Sequence, residues 1–313
     1  MTHRTMDPPL LPGTTDELLD LPACPGSPAL RMHLVEAGQG PPLLLLHGAP
    51  QCHLLWSELL PRYAEHFRVL CPDLRGAGWT EAPGRGYTPS SLIEDLRALL
   101  DAQGIERVRI VAHDWSAIIA LLLAMQEPRR VERLVTLSVP DLFVRPDVRA
   151  LRLMASGWFQ LALCLPLIGP LAVRGGRQRL LRHMQSLTGS AATGPLPFAR
   201  VDRELLRDPA RARDLCRLYR TTVMPTLLGL FVGRYRRLRL EVPTLQLVGA
   251  EDPVALLLRM GRFPGRTTEL HTETIPGAGH FLVDEAGAEV LARSLDFLLT
   301  AHPDSSSPSK ARS

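Results

Sequence analysis

The sequence predicts an α/β fold, with a mostly parallel central sheet, helices on both faces and a helical block inserted into it. Three observations carry this reading. Short apolar runs alternate with amphipathic stretches, as strands and crossover helices do around a parallel sheet. The alternation stops after Val139 and resumes at Val242. The interval also differs in charge from its surroundings. Residues 140–240 hold 18 Arg and no Lys against six acidic residues, a local +12, whereas the rest of the chain sums to −8.

Residues 1–27 carry prolines at positions 8, 9, 12, 22 and 25 and the acidic residues Asp7, Asp16, Glu17 and Asp20. No apolar run there suits a secretory signal, and a loose arm is expected. Strands follow at Leu30–Glu36, Leu43–Leu46, Arg68–Cys71, Val108–Ala112 and Leu134–Ser138, then at Thr244–Val248 and Glu269–Ile275. Helices are expected at Leu54–His66, Pro89–Gln103, Trp115–Gln126 and Asp284–Leu299. The tail from residue 302 is disordered by composition. The organisation read from this is an arm (1–27), a core in two pieces (28–139 and 241–301), a helical cap or lid (140–240) and a tail (302–313).

Within the insertion, Leu153–Val173 is uncharged over 21 residues, enough to cross a bilayer. It also holds Ser156, Gly157, Gln160, Pro166, Gly169 and Pro170 and lies between α/β units. A buried lid helix lining an apolar pocket is therefore expected, with no membrane partner and a cytoplasmic location. All but one of the 36 basic residues are Arg, so a solvated Arg face accounts for the insertion's charge, with an anionic partner as the alternative.

Composition excludes other classes. The 313 residues are 45% hydrophobic and 22% charged, a globular balance rather than a disordered one. Five cysteines at 24, 52, 71, 164 and 216 form no CxxC pair, which argues against a disulfide framework or a structural zinc site. A net charge of +4 is too small to argue for nucleic acid.

The chemistry starts at Val111-Ala112-His113-Asp114-Trp115-Ser116-Ala117, where a strand meets a helix. Small residues around a sharp turn lift one side chain clear of the sheet, and here that side chain is Asp114. Ser116 is the alternative nucleophile, in a poorer register. Strand Thr244–Val248 runs into Gly249-Ala250-Glu251-Asp252-Pro253, which puts a carboxylate at a strand end, Asp252 or alternatively Glu251. Gly277-Ala278-Gly279-His280-Phe281 puts a histidine in a Gly-rich loop before the last helix. The chain order is nucleophile, acid, histidine. Backbone N–H groups of Ala49 and Trp115 are placed to face a developing oxyanion. His47 and His113 suit loop hydrogen bonding and packing under the turn better than base catalysis.

With His47-Gly48-Ala49-Pro50 and Pro72-Asp73-Leu74-Arg75-Gly76-Ala77-Gly78-Trp79-Thr80, these pieces resemble the α/β-hydrolases of the soluble epoxide hydrolase and haloalkane dehalogenase group. The resemblance implies the α/β-hydrolase fold with an inserted helical cap. It also implies an Asp114 alkyl-enzyme ester, its hydrolysis by a water that His280 activates, and no metal or organic cofactor. The implied partners are a hydrophobic small molecule and water, and a homodimer is compatible. Epoxide hydrolases in this group use two lid tyrosines as proton donors. Tyr219, followed by Arg220, matches one. Phe159, in Trp158-Phe159 seven residues before Pro166, holds the other position and has no hydroxyl. Either Tyr219 acts alone, Tyr235 or another donor substitutes, or the substrate is not an epoxide. Substrate contacts are expected from His47, Pro50, Trp158, Phe159 and Phe281. A haloalkane dehalogenase, another C–O or ester hydrolase, and a non-catalytic ligand-binding module are the alternatives.

Overall fold

The computed structural model describes residues 6–145, 147, 157–258 and 260–300. Ten strands are present among them: β1 (Thr15–Leu21), β2 (Leu30–Ala37), β3 (Pro42–Leu46), β4 (Arg68–Pro72), β5 (Val108–His113), β6 (Val131–Leu137), β7 (Val144–Arg145), β8 (Thr244–Gly249), β9 (Gly261–Arg262) and β10 (Leu270–Ile275). Eight form one sheet in the order β1-β2-β4-β3-β5-β6-β8-β10. From β4 onward the strands run parallel; β2 is antiparallel to β4, and β1 to β2. The four leucines of β3 are all buried, as suits a central parallel strand covered on both faces.

Two hydrophobic cores sit on opposite faces of this sheet. One packs α2 (Pro89–Ala102) and α3 (Trp115–Gln126); the other packs α1 (Leu60–Ala64) and the last helix, α11 (Leu282–Leu299). Helix α2 starts where the Thr88 hydroxyl accepts the Ser91 N–H and Pro89 supplies a first-turn φ. Helix α3 buries ten of its twelve residues, so it is enclosed on all sides rather than amphipathic.

Between β6 and β8 the chain adds β7 and mostly helix: α4 (Trp158–Cys164), α5 (Ile168–Arg174), α6 (Arg179–Met184), α7 (Ala199–Leu205), α8 (Pro209–Leu218), a π-turn at Tyr219–Val223 and α9 (Met224–Phe231). Strand β7 pairs only with β9, in a separate two-stranded ribbon. A short helix, α10 (Ala255–Leu258), follows β8. No helix of the described residues is long and apolar enough to cross a membrane.

Three expectations need correction. The arm is not loose throughout, because residues 15–21 pair along their whole length with β2 and form the sheet's exposed edge. The helix expected at Leu54–His66 is a 3-10 turn at His53–Trp56 followed by α1, which restarts at Leu60-Pro61. The lid helix expected at Leu153–Val173 lies partly outside the described residues. From residue 157 onward it is two helices, because Leu165 before Pro166 turns extended (ψ 122°). Those helices are not buried either: Leu161, Leu165, Leu167, Ile168 and Leu171 are exposed.

Candidate active site

Asp114 sits in the turn between β5 and α3 with φ 58° and ψ −138°, a backbone state costly for any residue with a Cβ. The turn lifts the carboxylate to the C-terminal edge of the sheet. Close approach there requires glycine at position 48, where a Cβ would lie 2.6 Å from the Cβ of Asp114. The Ala49 N–H donates to Asp114 Oδ2 at 3.0 Å. Ser116 is the second residue of α3, 1% exposed, its hydroxyl bonded to the His113 and Leu46 carbonyls. It has no access to a substrate, so the alternative nucleophile falls away.

The Gly-rich loop before α11 brings His280 over the same edge. Its Nδ1 lies 2.9 Å from Asp252 Oδ2, and since a carboxylate only accepts, that nitrogen carries a proton. Its Nε2 lies 3.7 Å from Asp114 Oδ1. Asp252 is fixed in turn by the Val254 N–H. Glu251, the alternative acid, points away to Ser190. Burial alone would lower the His280 pKa, but Asp252 and Asp114 outweigh it and hold the imidazole well above the ordinary histidine value. Burial likewise disfavours the Asp114 carboxylate. His280, His113 and the Ala49 N–H outweigh that and hold it below the usual range, so Asp114 is ionised. His113 is depressed to about 4 by burial and by His280, and is neutral. Its Nε2 meets the His280 carbonyl beneath the turn.

Asp114, Asp252 and His280 line an open cavity of about 170 Å³ whose other walls are mostly apolar. Trp115 and Phe159 also line it, and so does Tyr219, brought in by the π-turn. No protein group among the described residues hydrogen-bonds the Tyr219 hydroxyl. Burial and the negative charge of Asp114 raise its pKa well above the ordinary phenol value. Tyr235 is packed in the core against Gly229 and takes no part in the cavity.

Four residues expected at the substrate are elsewhere. His47 is fully buried; its Nε2 accepts the Leu74 N–H and its Nδ1 donates to the Gly48 carbonyl, so both nitrogens serve the loop. Pro50 lines a separate small cavity. Phe281 packs behind His280 against Leu196 and Ala199. Trp158 faces outward, 52% exposed, its ring beside His183.

The strand order, the elbow and the acid and histidine loops at one sheet edge decide the fold family. The chain has the α/β-hydrolase fold. The profile of the alpha/beta hydrolase fold matches residues 41–163. The chain is 41% identical over 118 residues to a soluble epoxide hydrolase of Corynebacterium sp. (strain C12), and 33% identical over 132 residues to the bifunctional epoxide hydrolase 2 of Mus musculus. These matches take in 37% and 41% of this chain but only 41% and 24% of the relatives' own lengths. Among solved structures, a candidate epoxide hydrolase from Pseudomonas aeruginosa superposes with TM-score 0.75 at 28% identity, covering 93% of this chain and 97% of that one. A candidate α/β-hydrolase from Nostoc sp. PCC 7120, at TM-score 0.76 and 23% identity, shares the fold and covers 93% and 100%.

Sequence reasoning missed Glu285. Its carboxylate accepts the N–H groups of Gly189, Gly279 and Phe281, tying the His280 loop to the insertion. Its place one turn into α11, just after the Gly-rich loop, was the available signal. Sequence reasoning also missed Ser138, which lines the cavity at the end of β6 with φ 57° and a buried hydroxyl that has no partner among the described residues. One further set of groups could be read as metal ligands: His33, His53 and Asp73. Both Asp73 oxygens are already occupied by the two Nδ1 atoms and by the His53 and Trp79 N–H groups, which fits a hydrogen-bonded brace.

Proposed function

We propose that this hydrolase adds water to a hydrophobic epoxide, with residues 140–240 acting as the cap over Asp114, Asp252 and His280. The observation that carries the reading is an ionised aspartate at the elbow of an apolar cavity that also holds an unpartnered tyrosine hydroxyl. Asp114 Oδ1 attacks an epoxide carbon, that C–O bond breaks, and the alkoxide takes the Tyr219 proton. Oδ2 becomes the ester carbonyl oxygen, already held by the Ala49 N–H. The Trp115 N–H is the second donor proposed for it.

Alkylation also prepares the second step. Asp114 loses its charge on forming the ester, so only Asp252 still supports a protonated His280. The imidazole releases its proton to the Tyr219 phenolate, directly or through solvent, and its Nε2 becomes a base. It takes a proton from water, the hydroxide adds to the ester carbon, and the diol leaves with the proton from His280. The sum is epoxide plus water to diol.

A second reading, halide displacement from a haloalkane, rests on the Trp115 indole N–H. It is buried and without a partner where Trp115 lines the cavity. Intact-mass spectrometry of His280→Gln with an aryl epoxide and with a haloalkane tests both. A stable adduct on Asp114 from the epoxide is expected. No adduct from the epoxide beside one from the haloalkane would exchange the two readings.

A further inference from the structure

The cap carries an apolar face that no described residue covers. On α4, on α5 and in the turn between them, Leu161, Leu165, Leu167, Ile168 and Leu171 are exposed, Leu167 by 80%. On the same helices Phe159, Leu163 and Val173 are buried. These helices are thus apolar on both faces, unlike a solvated surface helix. At the end of α9, Leu228, Phe231 and Val232 are exposed too. Leu161, Leu228 and Phe231 also line the catalytic cavity, so this apolar face is the rim of its mouth.

The chain around the rim carries one sign of charge. Residues 157–182 contain Arg174, Arg177, Arg179 and Arg182, and residues 218–240 contain Arg220, Arg234, Arg236, Arg237 and Arg239; Arg217, just before the second stretch, is already paired with Asp214. Neither stretch holds an acidic residue.

We propose that this rim docks on an anionic lipid bilayer, with the cavity mouth set against the acyl region. Long apolar side chains flanked by arginine are how a protein lies in a membrane interface without spanning it. Anionic headgroups supply the counter-charge that the rim lacks. A second copy of this chain fits less well, since a two-fold contact would set these arginines against one another with no acidic partner. Docking also gives an apolar substrate a route from lipid into the cavity without crossing water. The surface does not depend on the epoxide chemistry, and its test needs no turnover.

The test is co-sedimentation of the full chain with vesicles of phosphatidylcholine alone and of phosphatidylcholine and phosphatidylglycerol in equal parts. Binding to the anionic vesicles is expected to be about tenfold tighter or more and to weaken as salt rises. Leu167→Glu with Leu171→Glu should lose that binding while the circular dichroism spectrum persists. Arg236→Gln with Arg237→Gln should weaken anionic binding alone. If the Leu double variant fails to fold, wild type still answers, because half-exposed Trp158 beside the rim should shift its emission to the blue with anionic vesicles. Wild type that binds neither vesicle overturns the proposal, as does binding indifferent to the Leu variant. A dimer in sedimentation velocity that the Leu variant dissociates, with no vesicle binding, assigns the face to a second copy instead.

Discussion

Two histidine–aspartate clusters sit in this molecule, and they differ in how fully the carboxylate is satisfied. Asp73 takes four donors: His33 Nδ1 at 2.9 Å, His53 Nδ1 at 3.0 Å, and the His53 and Trp79 N–H groups at 2.7 and 2.9 Å. Its side chain is wholly buried, and the Trp79 ring packs against both imidazoles. Asp114 accepts one N–H, with His280 standing off at 3.7 Å, and its other oxygen faces an open cavity. The same residue types therefore serve opposite ends. A saturated carboxylate pins β2, β4 and the loop after β3 together; an under-coordinated one, held ionised by nearby charge, leaves a lone pair facing the cavity.

The sharpest way to break this comparison is to remove each aspartate. Asp114→Ala should lower diol formation by about 10⁴-fold or more with a nearly unchanged melting temperature. Asp73→Asn should do the reverse, costing about 3–5 kcal/mol in urea unfolding while the folded fraction keeps its turnover. An exchange of those outcomes would make Asp73 the reagent and Asp114 the brace.

Tyr219→Phe comes next. Epoxide turnover should fall about 10²–10⁴-fold, since no second tyrosine lines the cavity to compensate. Haloalkane turnover, where leaving-group departure needs no proton, should not fall with it, and Tyr235→Phe should change neither. Initial rates on both substrate types decide this; unchanged epoxide hydrolysis would remove Tyr219 from the chemistry.

Titration separates the clusters further. Asp114 lies below the ordinary carboxylate range, so alkylation continues in mild acid. Ester hydrolysis needs neutral His280, whose charged form Asp252 still favours in the ester, so rapid-quench mass spectrometry should find more ester as the pH falls. The brace titrates in stability instead. Burial pulls His33 down, but Asp73 and Asp16 outweigh it and the net pKa is raised. Its contribution is then complete below the ordinary histidine value and lost as the pH rises through the raised one. Burial pushes Asp73 up, but His53 and His33 outweigh it and hold the carboxyl well below its usual range. That contribution is present above the ordinary carboxylate value and lost only as the pH falls through the depressed one. Urea midpoints across this range should therefore decline at alkaline pH in wild type and stay flatter in His33→Gln.

The smallest effect is expected from Phe159→Tyr. Phe159 lines the same cavity as Tyr219, so a restored hydroxyl should raise epoxide turnover by up to about tenfold. A steady-state assay showing no change would mean that the added hydroxyl does not reach the epoxide oxygen.

By itself the sequence determined the sheet and the three groups at its edge. Four leucines in a row, a small-residue turn around Asp114 and glycines before His280 are local signals, because strand burial and tight turns restrict residue type at the position itself. Those constraints act within a few residues, so they survive without knowledge of the rest of the chain. Only the tertiary structure decided the direction of side chains that could pack two ways. His47 and Phe281 sit near the proposed catalytic groups in sequence, yet one is held by the Leu74 N–H and the other by Leu196 and Ala199. Glu285 organises the His280 loop through contacts that include a residue 96 positions away. Trp158 and Phe159 are neighbours on one helical turn, and α4 sends one outward and the other into the cavity. Helical periodicity states that two such residues diverge; which of them meets the core depends on what the rest of the chain places beside the helix.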